Sequence, residues 1–270
     1  MELSEIVSNL DDSELLKKII AREGIGELLS MPIRSVCEHI GKGSDQFVIQ
    51  IKGLPLSSVE LRSTVPYALA FAVNPRGGDH LHSEIMCQFG STLEHKEIAN
   101  RITGTSRGTD PLFYEGKAKL VAYHEEVCCA SDCLGVCFMH TLSSHRVTPE
   151  ILAELFQTAT GIPMNAEKLR SAGARIVNLE RMFNISHGLG RADDTLPSRF
   201  FDEAIPSGPG KGRKIDRAQF DDLLQEFYRI RGWNPDGIPK HETLAALRID
   251  SSIPYIPGIQ SVLPNTHTRE

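Results

Sequence analysis

The chain has 270 residues, 40% hydrophobic and 24% charged, with a formal net charge of -6, a composition that sustains one large or two smaller globular domains. Lys and Arg form neither an excess nor a stripe, which excludes a nucleic-acid surface, and no apolar run is long enough to span a bilayer. The opening Met1-Glu-Leu-Ser-Glu-Ile-Val-Ser has neither the positive nor the apolar region of a secretory signal, so a cytoplasmic protein is expected.

Asp12-Ser-Glu-Leu-Leu-Lys-Lys-Ile-Ile-Ala-Arg22 reads as a helix that breaks at Gly24 and Gly26. Ile25, Leu28, Leu29, Ile33, Val36, Cys37 and Ile40 then recur at helical spacing, predicting a helix with one stripe on a core and a kink at Pro32. Gly41-Lys-Gly43 closes it, and Phe47-Val-Ile-Gln-Ile51 reads as a strand. From 53 to 112 Gly, Pro, Ser and Thr recur throughout, which predicts only short elements. The helical signal returns at Glu115 and runs through Lys119, Val121 and Glu126 towards a group of cysteines.

Thr148-Pro149 starts a helix whose apolar face is Ile151, Leu152, Leu155, Phe156 and Ala159, with Gly161 as the stop. After Asn165 a long amphipathic helix is marked by Leu169, Ala172, Ile176, Leu179 and Phe183; its Arg175, Glu180 and Arg181 are expected in ion pairs or on solvated edges. Residues 188 to 214 form an irregular wrap, Phe220, Leu223, Leu224 and Phe227 return to helical period, and Leu263 to Glu270 is a loose tail. The predicted class is all-α.

Four of the six cysteines crowd into Cys128, Cys129, Cys133 and Cys137, which in a cytosolic chain points to metal or redox chemistry, or to packed thiols. On a straight helix Cys129, Cys133 and Cys137 would spread along ~12 Å of one face. A local four-thiolate site therefore requires a sharp break near Gly135. In Asn74-Pro-Arg-Gly-Gly-Asp-His80 the glycines admit close approach of the backbone to a ligand and Arg76 offers a planar donor fork; the alternative is a glycine-rich turn with a structural arginine. An imidazole such as that of His80 is the side-chain type suited to proton transfer near neutral pH. Asp132 can accept two charge-assisted bonds or cap a helix.

Three groups of motifs occur in order: Arg22-Glu-Gly-Ile-Gly26, Lys52-Gly-Leu54 and Asn74 to His80; then Asp132-Cys-Leu-Gly-Val-Cys137-Phe138; then Thr160-Gly161, Arg175 to Asn184, Asp193 to Arg199 and Arg231-Gly-Trp233. In this order they resemble the C-terminal portion of the tungsten-containing aldehyde:ferredoxin oxidoreductase family. The resemblance implies an irregular multi-helix assembly, with 1–140 similar to the family's middle domain and 141–270 to its C-terminal helical domain. It implies a tungstopterin or molybdopterin cofactor, a 4Fe-4S cluster, ferredoxin as electron acceptor and oxidation of aldehydes to carboxylic acids.

By that resemblance Cys137 matches the fourth cluster ligand, Asp132 and the neighbouring Val136 match pterin contacts, and Arg76 matches a pterin-binding arginine. His82 stands where the family often has a lysine contact, and His80 matches the histidine placed near the metal for proton transfer. The pterin-cradling domain, a first DxxGL motif and the CxxCxxxC cluster motif have no match, which implies a half-site completed by an N-terminal half or companion subunit. Ser57-Ser-Val-Glu-Leu-Arg62 and Pro66-Tyr-Ala-Leu69 depart from the family pattern where it approaches substrate. Ser13 replaces a histidine that in some members binds a metal between subunits, so no dimer metal is predicted. Competing readings are a non-catalytic helical remnant or interaction module and an enzyme that reduces aromatic thioesters.

Overall fold

The computed structural model describes residues 11–249 apart from 58, 90, 91, 144 and 145; the predicted tail at 263–270 lies outside these. Helix α1 (Asp12–Ala21) starts where the Asp11 carboxylate accepts the Glu14 N–H at 2.8 Å, satisfying one of the donors a helix start leaves open. The helix expected to kink at Pro32 is instead two, α2 (Ile25–Leu29) and α3 (Ile33–Ile40). Pro32 has no N–H to continue the ladder and stands at the N-cap of α3. Of the stripe predicted to face a core, Ile25, Leu28, Ile33, Val36, Cys37 and Ile40 are half-buried and Leu29 is exposed.

The predicted strand contracts to β1 (Gln50–Ile51), because Phe47 belongs to a 3-10 turn over Ser44–Phe47. It pairs antiparallel with β2 (Leu54–Pro55), Ile51 opposite Leu54. Lys52 and Gly53 form the two-residue turn with positive φ at both positions, the geometry that matches strand twist. The following stretch holds two helices, α4 (Val65–Val73) and α5 (Leu93–Thr103).

Next come α6 (Lys117–Cys133), α7 (Pro149–Thr160), α8 (Ala166–Ser186), the short α9 (Arg199–Asp202), α10 (Arg217–Arg231) and α11 (His241–Ala246). Thr148, Asn165 and Asp216 cap α7, α8 and α10 through their side-chain oxygens, so the clearest predicted helices begin where their capping chemistry stands. Helix α6 is the hub, with α4, α5, α8 and α10 packed on it. Its approach to α8 is close: a Cβ on Gly173 would lie 2.0 Å from the Glu126 carbonyl oxygen.

One principal core joins Tyr67, Leu69 and Phe71 of α4, Leu120 and Val121 of α6, Val177 of α8, Leu224 and Phe227 of α10, and Trp233. Residues on both sides of position 140 share it. Among the described residues the structure is helical apart from the small hairpin and one isolated bridge, and no helix is long and apolar enough to cross a membrane.

Several resemblance residues are inside. Lys52 Nζ lies 3.0 Å from Asp194 Oδ1, Arg181 Nη1 lies 2.8 Å from Asp194 Oδ2, and the Tyr228 hydroxyl donates to the same carboxylate. Asp194 is fully buried, so its charge is tolerable only because these donors surround it. Trp233 Nε1 donates to Asn178 Oδ1 at 2.8 Å. Arg175 Nε donates to the Leu247 carbonyl at 2.8 Å. Arg231 holds Glu125 and Glu126 together, and Arg170 meets Glu126 from outside at 2.7 Å.

Candidate functional site

The last turn of α6 carries the cysteine cluster, and its chain path decides where each side chain goes. Gly135, at φ 70°, takes the left-handed position that ends the helix. Its N–H donates to Asp132 O at 3.0 Å, and the Val136 N–H reaches back to Ser131 O at 2.9 Å. This is a Schellman turn, and Val136 closes it by packing with Ala130, Leu152 and Leu169. The side chain of Val136, expected beside pterin, is thus the half-buried apolar clasp of the turn.

The break near Gly135 does not gather the four thiols. Cys128 and Cys129 are buried, whereas Cys133 and Cys137 are exposed, so the local four-thiolate alternative finds no such cluster among the described residues. Asp132 is also exposed and makes no side-chain hydrogen bond or ion pair among the described residues. The capping alternative fails because Asp132 lies in the C-terminal turn of a helix whose N-cap is Gly116. A carboxylate there faces the negative end of the helix dipole, unfavourable by roughly 0.3–1 kcal/mol.

The turn after α4 approaches the same region. Asn74 Oδ1 accepts the Arg76 N–H at 2.8 Å, and Asn184 of α8 donates to Pro75 O at 2.9 Å, which ties the turn to the bundle. The two glycines serve this packing: a Cβ on Gly77 would lie 2.3 Å from Ile51 O, and one on Gly78 2.4 Å from Leu54 O. The close approach they allow is to the hairpin backbone. Arg76 is exposed, with Nη2 2.9 Å from Asp79 Oδ2. Cys128 donates to Leu81 O at 3.1 Å, locking this segment to α6. Burial first, and then the Asp132 carboxylate, push the Cys128 thiol up to about 12, while Arg76 pulls the other way. Arg76 and Asp132 are therefore both within electrostatic reach of one sulfur.

His80 is half-buried and stacks on Phe71 with ring centroids 6.0 Å apart. Its Nδ1 lies 3.2 Å from Ser57 Oγ, and its Nε2 lies 3.7 Å from Glu84 Oε2. The buried Tyr67 hydroxyl donates to Glu84 Oε1 at 2.7 Å and receives the Ile85 N–H at 3.1 Å. Burial and the Glu84 charge raise the Tyr67 pKa, which keeps it a donor. Ser57, Tyr67 and Glu84 had no assigned role in the sequence, although Ser57 and Tyr67 lie in the two stretches that depart from the family pattern.

His82 faces inward. It is 3% exposed, with Nε2 3.3 Å from Glu180 Oε2 and 3.8 Å from Cys129 Sγ. Its ring is engaged inside the protein, by Glu180 and Cys129.

Residues 11–249 match the family model "Aldehyde ferredoxin oxidoreductase, domains 2 & 3", and the chain belongs to that family. It is 30% identical over 230 residues to the tungsten-containing aldehyde ferredoxin oxidoreductase of Pyrococcus furiosus, covering 84% of this chain and 35% of that protein. It is 28% identical to the protein of the same description from Thermococcus kodakarensis, again over 84% and 35% of the two chains. A further relative, 27% identical over 88% of this chain and 34% of its own length, is the WOR-like subunit of a Pyrococcus furiosus aliphatic sulfonate oxidoreductase. In fold the chain is similar to the BamBC active-site complex of benzoyl coenzyme A reductase, with a TM-score of 0.67, 24% identity, and 87% and 38% coverage of the two chains. The chain spans about a third of the length of the curated relatives.

Proposed function

We propose that this member of the aldehyde ferredoxin oxidoreductase family forms one wall of a tungsten-pterin and iron–sulfur site that oxidises aldehydes to carboxylic acids with ferredoxin as acceptor. The opposite wall comes from a region like the N-terminal half of the relatives. The observation that carries this reading is the exposed Asp132, without an ion pair among the described residues, and the exposed Cys137 on the Schellman turn that ends the central helix. A solvated carboxylate at the wrong end of a helix dipole is stabilised when a ligand carrying N–H donors docks on it.

These residues fit a share of the cofactors. Cys137 supplies one of the four thiolates a cubane cluster needs, so three come from elsewhere. Asp132 offers two acceptor oxygens to the N–H edge of a pterin, and Arg76, held by Asp79 at the surface, offers its fork to the pterin or its phosphate. When bound, the metal and cluster take up the two electrons that aldehyde oxidation releases. His80, positioned by Ser57, Phe71 and the Glu84–Tyr67 pair, holds the accompanying proton at Nε2 on the Glu84 side. The departures at Ser57 and Tyr67 surround this histidine, so the choice of aldehyde differs from that of relatives with the usual pattern.

Co-production with a family N-terminal half tests the proposal. The complex should acquire tungsten and a 4Fe-4S cluster, and Cys137→Ser should remove the iron while leaving the complex assembled. A complex that assembles without tungsten or iron would establish the non-catalytic remnant instead. A cubane cluster held by the isolated chain would refute the single-thiolate arrangement.

A further inference from the structure

Three side chains from three separate elements converge in the interior. His82 stands on the 3-10 turn Leu81–Ser83, Cys129 on the last third of α6, and Glu180 on the second half of α8. His82 Nε2, Cys129 Sγ and Glu180 Oε2 lie within 4.8 Å of one another, with the nitrogen 3.3 Å from the oxygen and 3.8 Å from the sulfur. Around a tetrahedral ion with bonds of ~2.0–2.3 Å, the donor atoms sit ~3.3–3.7 Å apart. The two distances from His82 thus lie close to the edge length of a coordination tetrahedron.

We infer that His82, Cys129 and Glu180 form a binding site for a zinc-class divalent cation, with water in the fourth position. The plainer arrangement would be a histidine–carboxylate pair packed beside a thiol, and two observations count against it. Glu180 Oε2 is buried and, although His82 Nε2 lies 3.3 Å away, no donor among the described residues meets it in hydrogen-bond geometry, at a penalty of roughly 1–3 kcal/mol. The neighbouring buried Glu125 is held by Arg231, which also takes Glu126, whereas Glu180 has the imidazole and the Cys129 sulfur beside it.

The donor set suits the ion. Imidazole nitrogen, thiolate and carboxylate are the ligand types of zinc, and the mixed set disfavours the oxygen-seeking magnesium and calcium. Burial, reinforced by Glu180 and Glu125, keeps the Cys129 thiol protonated without metal. The ion displaces that proton, and one thiolate with one carboxylate then balances its two positive charges, leaving the buried site neutral. The half-exposed Glu180 side chain marks the way in. None of this depends on tungsten, pterin or a second polypeptide.

Cobalt titration of the full-length chain, stripped with chelator under reducing conditions, tests the site. One Co2+ per chain should bind with tetrahedral visible absorption and a thiolate charge-transfer band in the near ultraviolet, and Zn2+ should displace it. Cys129→Ser should abolish the near-ultraviolet band. His82→Gln and Glu180→Gln should each weaken binding by at least about tenfold, and these near-isosteric changes carry the test if the serine variant does not fold. Cys133→Ser and Cys137→Ser should leave the band in place. Absence of cobalt binding, or a band that survives Cys129→Ser and follows the two exposed cysteines, would overturn the inference.

Discussion

The Lys52–Asp194–Arg181 network and the Asp132–Cys137 turn both lie in stretches that carry the family resemblance, yet one carboxylate is met from three directions and the other from none. Asp194 is fully buried, with Lys52, Arg181 and Tyr228 on its two oxygens. Asp132 is exposed at the end of α6, where the helix dipole opposes its charge. The same residue type therefore stands in two environments: inside it ties packed helices together, and at the edge it faces solvent. Burial together with unmet hydrogen-bonding capacity separates the two environments, whereas motif membership does not.

The strongest way to break this contrast is Asp194→Ala. Removing the anion leaves Lys52 and Arg181 buried without their counter-charge, and chemical denaturation should show a loss of ~3–5 kcal/mol; a loss near zero would mean that the interior network does not hold the wall. Next in size is a pH effect at the second interior lysine. Lys117 Nζ donates to Gln88 Oε1 at 2.9 Å and to the Gly108 carbonyl, and burial lowers its pKa to about 8 from 10.5. Between those values the unfolded chain binds more protons than the folded one, so stability should rise with pH across this window and be flat below it. Relative to Lys117→Met, denaturation curves from pH 8 to 10.5 should show a gain of ~1–3 kcal/mol.

The smallest effects belong to the edge. Asp132→Asn should raise stability by ~0.3–1 kcal/mol, because it relieves the dipole, and Arg76→Ala should change it by less than about 0.5 kcal/mol, because its ion pair is exposed. Both should nevertheless lower the pterin content of the co-produced complex, measured by metal analysis and pterin fluorescence. An Asp132→Asn variant that unfolds would place this carboxylate with the structural group.

The helices that the sequence made legible are those with one apolar face and a capping side chain. The face of Leu169 to Phe183 and the cap at Asn165 together define α8, and Thr148, Pro149 and Gly161 bound α7. Helix α4 was hidden because Val65–Val73 is apolar on every side, and a helix buried all round has no period to read. The opposite error occurred at α2 and α3, where the apolar stripe is at most half-buried: periodicity reveals a stripe and says nothing about what covers it.

At the site, the exposure of Asp132 and Cys137 and the end of α6 follow from the local turn at Gly135. The inward turn of His82 towards Glu180 and the pairing of Lys52 with Asp194 do not. These contacts join residues far apart in the chain, and the packing of α6 against α8 decides them. Ser57 and Tyr67 were visible only as deviations from a family pattern; their roles around His80 required coordinates.

Leaving Cys133 and Cys137 at the surface also determines how perishable the protein is. Sulfur exposed to solvent meets peroxide and other thiols before anything covers it, and sulfinic acid at Cys137 would permanently remove the thiolate proposed for the cluster without unfolding a helix. A preparation made in air would therefore keep its shape and lose its competence, so anaerobic handling from the moment of cell lysis is part of measuring what this chain can do.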